Sequence, residues 1–197
     1  MTGLIILAAG SSSRLGTPKQ NLIYRGQTLL QKAIETAISS VCKPVIVVLG
    51  ANESTIKPTI TDMPVNIIYN PDWQEGMASS VRLGIKEMQK TKPVADSVIL
   101  MLCDQPFVDA NILNTLVEAK TNNKAGIFGC AYNNTIGAPV LFDDVYFDDL
   151  LSLRGREGAK KLLTKYKDKV ISVPFPLGSF DIDTVEDYER IKNNHQL

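Results

Sequence analysis

The chain is short of the residues that mark several common chemistries. Its 197 residues include one histidine, His195, in the closing stretch NNHQL. A histidine in a chain end reads as a solvated tail residue, not as a general base. Cysteine is scarce and odd in number. Cys42, Cys103 and Cys130 lie far apart with no CxxC pair, so neither a zinc site nor a dithiol redox motif is indicated. Reduced, buried thiols of a cytoplasmic protein are expected instead. Net charge is missing too: 21 Lys plus Arg offset 21 Asp plus Glu. A nucleic-acid or membrane-surface partner would need a basic field that this balance does not supply. No run of 18 apolar residues offers a membrane span. The opening MTGLIILAAG has no basic segment ahead of its apolar run, so no signal peptide is expected. No linker, repeat or low-complexity stretch interrupts residues 1–197, and the length fits one domain with its own core.

What the chain does have is alternation. Residues 4–9, LIILAA, read as a strand buried on both faces. Residues 28–39 carry apolar pairs at Leu29/Leu30, Ala33/Ile34 and Ala37/Ile38, a helical spacing. Residues 44–50, 65–70 and 97–104 read as strands. Between the last two, Val81, Gly84, Ile85 and Met88 mark one face of a helix. Ile112, Leu113, Leu116 and Val117 mark the next helix. Strands follow at 126–132 and 138–142, a helix on Ala159, Leu162, Leu163 and Tyr166, and a strand at 170–175. A final helix opens at Thr184, with Asp187 placed to complete a capping box. Strand–helix alternation predicts an α/β fold of three layers, a mostly parallel sheet with helices on both faces. Ligands of such sheets bind beyond the carboxyl ends of the strands. Three polar loops lie there: residues 10–20, the turn after Asp104, and residues 181–184.

The first loop, LAAGSSSRLGTPKQ, fits neither familiar phosphate fingerprint. Gly10 and Gly16 have five residues between them and Lys19 comes three after Gly16, so the Walker A spacing fails. Ser11, Ser12 and Ser13 after Gly10 break the dinucleotide pattern. A plain Ser/Gly turn would not need the tail RLGTPK. Small residues let backbone N–H groups close on an anion, and Arg14 and Lys19 supply charge.

LAAGSSSRLGTPKQ resembles the signature L-A-A-G-x-[GS]-x-R-[ML]-G-x-x-K of nucleotidyltransferases related to the molybdenum cofactor enzymes and the sugar-nucleotide pyrophosphorylases. NPDWQEGMASSVRLGI, LMLCDQPFV, GAPVLF, LLSLRGREGAKKLL and DIDTVEDY follow in the order of the molybdenum cofactor cytidylyltransferases. The likeness covers nearly the whole chain. It implies a Rossmann-like nucleotidyltransferase (nucleotide-diphospho-sugar transferase) fold and transfer of CMP from CTP to the phosphate of molybdopterin or molybdenum cofactor. It implies Mg²⁺ as cofactor and a client molybdoenzyme as a further partner. Guanylyltransferase relatives tend to carry L-A-G-G, so Ala9 within Leu7-Ala8-Ala9-Gly10 points to CTP. This chain departs from the pattern at Ala138, Arg156 and Cys103. The first two bear on the acceptor more than on the nucleotide.

The implied reaction needs no strong base, because a phosphate acceptor is already ionised; positioning and charge neutralisation suffice. The resemblance assigns the nucleotide to Leu7, Ala8, Ala9, Gly10, Ser11, Ser12, Arg14, Lys19, Gly76, Ser79 and Ser80, with Arg14, Lys19 and Asp104 catalytic. Asp104 ends the most apolar strand just before Pro106 and is the leading metal ligand; Asp109 fits the helix N-cap better. Asp181 and Asp183 alternate around Ile182 and point the same way in extended chain. Family position favours Asp183 as the second metal ligand. Trp73 reads as a packing aromatic, not a base-stacking platform. Two competing readings keep the same loop: a nucleotidyltransferase for a sugar or polyol phosphate, and a carrier that holds molybdenum cofactor without catalysis.

Overall fold

A computed structural model of the chain describes residues 1–123 and 126–193; His195 lies outside them. The strands, in chain order, are β1 (Thr2–Ala8), β2 (Ile23–Tyr24), β3 (Gln27–Thr28), β4 (Val45–Leu49), β5 (Asn66–Tyr69), β6 (Ser97–Leu102), β7 (Ile127–Tyr132), β8 (Thr135–Asp143) and β9 (Val170–Pro174). The helices are α1 (Leu29–Ser39), α2 (Glu53–Ile56), α3 (Met77–Met88), α4 (Ala110–Thr121), α5 (Phe147–Ser152), α6 (Lys160–Lys165) and α7 (Val185–Asn193).

Seven strands form one sheet in the order β5-β4-β1-β6-β8-β7-β9. Its two faces separate by the parity of the strand residues. Leu4, Ile6, Val45, Val47, Ile99 and Met101 pack against α1 and α4. Ile5, Ile46, Val48, Val98, Leu100 and Phe142 pack against α3, α5 and α6. This is the expected three-layer α/β architecture. The one inverted strand is β8, antiparallel to both β6 and β7. The reason is local: Asn133 and Asn134, with φ of 45° and 57°, form a two-residue turn that can only return the chain alongside itself.

The capping expectations hold. Asp109 accepts from the Ile112 N–H at 3.0 Å. Thr184 and Asp187 exchange bonds: the Asp187 carboxylate accepts from the Thr184 N–H at 2.9 Å, and the Thr184 hydroxyl accepts from the Asp187 N–H at 3.2 Å. The small hairpin β2–β3, the single turn α2 and the helix α5 have no counterpart in the sequence reading. Each is too short to show a period. All three cysteines are free and buried.

Phe142 is fully buried between β6 and the helices of its face. Phe142→Ala is expected to cost about 3–5 kcal/mol through lost burial and the cavity left behind. Urea unfolding measures this; a loss under about 1 kcal/mol would mean that the site collapses freely.

Candidate functional site

β1 stops at Ala8, and the chain turns through residues 9–18 before one helical turn at Lys19–Asn21. The loop is shaped by side chains more than by glycine. Ser12 sits at φ 54°, and its hydroxyl accepts from the Lys19 N–H at 2.9 Å. Gln20, only 1% exposed, donates from Nε2 to the carbonyls of Ala8 at 2.8 Å and Gly10 at 3.1 Å. It is a buried strut that ties the loop's far end back to the strand it left. Its signal in the sequence is only a polar residue beside Lys19, too weak to have singled it out.

This strut aims Lys19. Its Nζ lies 2.7 Å from Asp104 Oδ2 and 2.8 Å from Asp183 Oδ1. Asp104 lies two residues beyond the end of β6, and the Ile182 N–H donates to the Asp104 carbonyl at 3.0 Å. That bond carries residues 181–184 to the strand end. Burial pulls the Lys19 pKa down, but the Asp104 and Asp183 carboxylates outweigh it, and the net shift is upward. Asp181 is shifted upward too, which for a carboxyl favours the neutral form. Burial, then the charges of Asp104 and Asp183, push it up to about 6. Arg14 stays outside: its side chain is 72% exposed and its guanidinium approaches Asp183 at 3.5 Å, an arrangement of little strength.

A cleft of about 350 Å³ opens over the carboxyl ends of β1 and β6. Leu7, Ala8, Ala9, Gly10, Ser11, Lys19, Gly76, Ser80 and Asp104 line it, joined by Gln20, Trp73, Gln74, Met77, Leu102 and Cys103. Most of the expected nucleotide-binding residues are thus brought together. Ser12, Arg14 and Ser79 are not on the wall, nor is Asp183, which meets the site through Lys19. Ser79 has a structural position: buried, its hydroxyl lies 2.9 Å from the carbonyls of Asp72 and Gly76 and accepts from Asn70 Nδ2 at 2.8 Å. Asn70 also donates to the Ser80 hydroxyl at 2.9 Å. Trp73 packs on the core as expected, yet it also faces the cleft.

Gly76 carries φ 122°, and a Cβ there would lie 2.5 Å from the Gly155 carbonyl. Only glycine lets the residue 153–158 loop close on the start of α3. A larger groove of about 690 Å³ lies at the other end of the sheet. It has Lys43 and Lys92 but no carboxylate, so it lacks the paired charges of the β1–β6 cleft.

Among the described residues, no group of three or more His, Cys, Asp or Glu side chains is gathered to hold a metal ion. Two carboxylates, Asp104 and Asp183, do converge on one cation, and Asp104 Oδ1 is buried with no hydrogen-bond partner. Hard oxygen donors with a free lone pair suit a divalent cation that takes its remaining ligands from phosphates.

The sequence profile of the MobA-like NTP transferase domain matches residues 4–170. The chain belongs to that family. Among curated relatives, nicotine blue oxidoreductase of Paenarthrobacter nicotinovorans is 32% identical over 136 residues, 68% of this chain and 63% of that protein. The chain therefore spans somewhat less than two thirds of that relative. The molybdenum cofactor cytidylyltransferase of Escherichia coli K12 is 23% identical over 97% of this chain and 95% of its own. Of solved structures, Rv0371c from Mycobacterium tuberculosis H37Rv superposes with a TM-score of 0.84 at 30% identity, covering 96% of each chain. Another structure of Rv0371c is a complex with manganese, with a TM-score of 0.80 at 27% identity over 96% of this chain and 97% of that one. The family and the fold expected from the loop motif are those found.

Proposed function

We propose that the chain transfers CMP from CTP to the phosphate of molybdopterin, or of its molybdenum-loaded form, with Mg²⁺ as cofactor, and passes the product to a client molybdoenzyme in the cytoplasm. The observation that carries this reading is the Lys19 ammonium shared by Asp104 and Asp183 at the mouth of the small-residue loop. Such a cluster places one cation and two hard anions where a triphosphate would enter. The molybdenum cofactor relative, the neighbour complexed with manganese and the buried free thiols support the finer parts.

In the reaction, an acceptor phosphate oxygen bonds to the α-phosphorus, the bond to the β-phosphate oxygen breaks, and pyrophosphate leaves. The N–H groups of the loop from Ala9 to Ser11 orient the triphosphate. Lys19 neutralises phosphate oxygens, so its contact strengthens as charge shifts to the leaving group. Asp104 and Asp183 would hold the Mg²⁺, which, when bound, neutralises charge on the triphosphate. No side chain need remove a proton, and among the described residues the cleft wall carries no histidine.

The departures at Ala138 and Arg156 favour a second reading, in which the same nucleotide half serves another phosphorylated acceptor. Arg156 lies in the loop packed on Gly76 at the cleft's edge, where the Gly76 Cβ position is 2.9 Å from the Arg156 Cα. A pyrophosphate-release assay separates the readings. With Mg²⁺ and molybdenum-loaded molybdopterin, CTP should turn over and GTP much more slowly, because a wrong base leaves buried polar groups unpaired. Turnover with a sugar or polyol phosphate alone would replace the acceptor. A preference for GTP would overturn the base. Tight cofactor binding without any turnover would make the chain a carrier.

A further inference from the structure

The loop after β1 is sorted by polarity. The successive carbonyls of Ala8, Ala9 and Gly10 all have donors inside the protein. Gln20 Nε2 donates to the Ala8 carbonyl at 2.8 Å and to the Gly10 carbonyl at 3.1 Å, and the Ala51 N–H donates to the Ala9 carbonyl at 3.0 Å. The N–H groups between them are left open. Among the described residues, those of Gly10 and Ser11 have no hydrogen-bond acceptor, and both residues line the cleft.

A trans peptide group is planar, with its C=O and N–H pointing opposite ways. The Gly10 carbonyl and the Ser11 N–H share one such plane; the Ala9 carbonyl and the Gly10 N–H share the plane before it. Whatever holds the carbonyl therefore aims the N–H. The Ala9–Gly10 plane is held by the backbone of Ala51. The Gly10–Ser11 plane is held by a side chain, Gln20, which is only 1% exposed. That plane needs a restraint. A Cβ on Gly10 would meet nothing within 4 Å, so no packing limits its rotation, and glycine brings no side chain to limit it either. Turned over, the same plane would put the Gly10 carbonyl where the Ser11 N–H now stands, and a carbonyl oxygen repels a phosphate oxygen.

The Gln20 amide is itself fixed in one orientation. Its nitrogen has two hydrogens, and both are spent on carbonyls; an amide oxygen in that place would face two other oxygens. Its Oε1 accepts from the Ser12 hydroxyl at 3.4 Å, and that hydroxyl accepts from the Lys19 N–H at 2.9 Å. The amide is thus braced by both ends of the loop.

We propose that Gln20 is a positioning residue for the triphosphate: by holding the Gly10 carbonyl away from the ligand, it turns the Ser11 N–H toward the phosphates. This rests on the nucleotide-binding reading above and adds a residue that acts on the ligand only through the main chain.

The amide resonances of the ¹⁵N-labelled full chain, titrated with inorganic tripolyphosphate in the presence of Mg²⁺, test it. In the wild type, the Gly10 and Ser11 amide protons are both expected to move downfield on binding. Gln20→Met is close in size but has no donor. Its Ser11 amide is expected to lose the response, while Gly10, whose plane Ala51 holds, keeps it. Affinity for tripolyphosphate should fall about tenfold, the scale of one hydrogen bond to a charged group. A general loosening of the fold would alter both amides together. If Gln20→Met does not fold, Gln20→Asn, whose amide is too short to reach both carbonyls, is read in the same way. A Ser11 response and an affinity that survive the substitution, or a loss shared equally by Gly10, would overturn the positioning role and leave the nucleotide site in place. Binding without a response from either amide in the wild type would overturn that role and take the loop out of the phosphate site. Absence of binding by the wild type would overturn both the role and the nucleotide reading.

Discussion

Asp104→Asn is expected to lower kcat/KM by at least about 10²–10³-fold at saturating Mg²⁺, the usual cost of losing a key electrostatic contact in a site of this kind. The amide keeps the size of the carboxylate and its place after β6, but loses the charge. Asp104 is 15% exposed, and among the described residues Oδ1 has no partner, so the substitution removes a charge available to a cation and leaves the packing intact. Steady-state pyrophosphate release and a thermal melt check the two halves. Asp181→Asn is the control. Burial and the charges of Asp104 and Asp183 already push its carboxyl up to about 6, and it is not one of the carboxylates bonded to the Lys19 ammonium, so loss of its charge is expected to cost less. A larger loss from Asp181→Asn than from Asp104→Asn would reverse the assignment of the metal ligands.

Lys19→Ala is expected to reduce kcat/KM by a comparable factor while the protein stays folded. Two effects combine. The variant lacks the cation that would neutralise the triphosphate, and it leaves Asp104 and Asp183 facing one another without the ammonium between them. The stability cost stays below that of a fully buried pair, since Asp183 is 42% exposed and water screens it. The sign of the pH dependence follows from the raised Lys19 pKa. Its contribution to stability is fully present below the ordinary value of 10.5 and is lost only as pH climbs through the higher folded value. No change in the Lys19 contribution is therefore expected across the neutral range. Near-wild-type turnover by the folded variant would remove Lys19 from the chemistry.

Much of the fold was legible because periodicity reports burial directly. Apolar runs ending at Gly50 and Asp104 marked strands buried on both faces, and the pairs from Leu29 to Ile38 marked a helix. Thr184 with Asp187, and Asp109 before Ala110, marked helix starts, since a cap is a contact within four residues. The loop LAAGSSSRLGTPKQ and its resemblance also placed most of the cleft wall. Ser12, Arg14 and Ser79 were named with it but stand off that wall. Identity at a motif position does not fix where a side chain points, and each of these three finds a neighbour elsewhere.

By itself, then, the sequence determined which segments are strands and helices, which faces they bury, and which loop is fit for an anion, because each depends on near neighbours in the chain. Only the tertiary structure decided the rest. It inverted β8 through the turn at Asn133 and Asn134, set Gln20 as the strut of the first loop, and turned Trp73 toward the cleft as well as the core. It also brought Lys19 to Asp104 and Asp183, across 85 and 164 residues. No local pattern encodes such meetings. They follow from the order in which strands pair, which decides the loops that share one end of the sheet, and from the negative charge of the two carboxylates gathered there, which makes a single ammonium their natural neighbour.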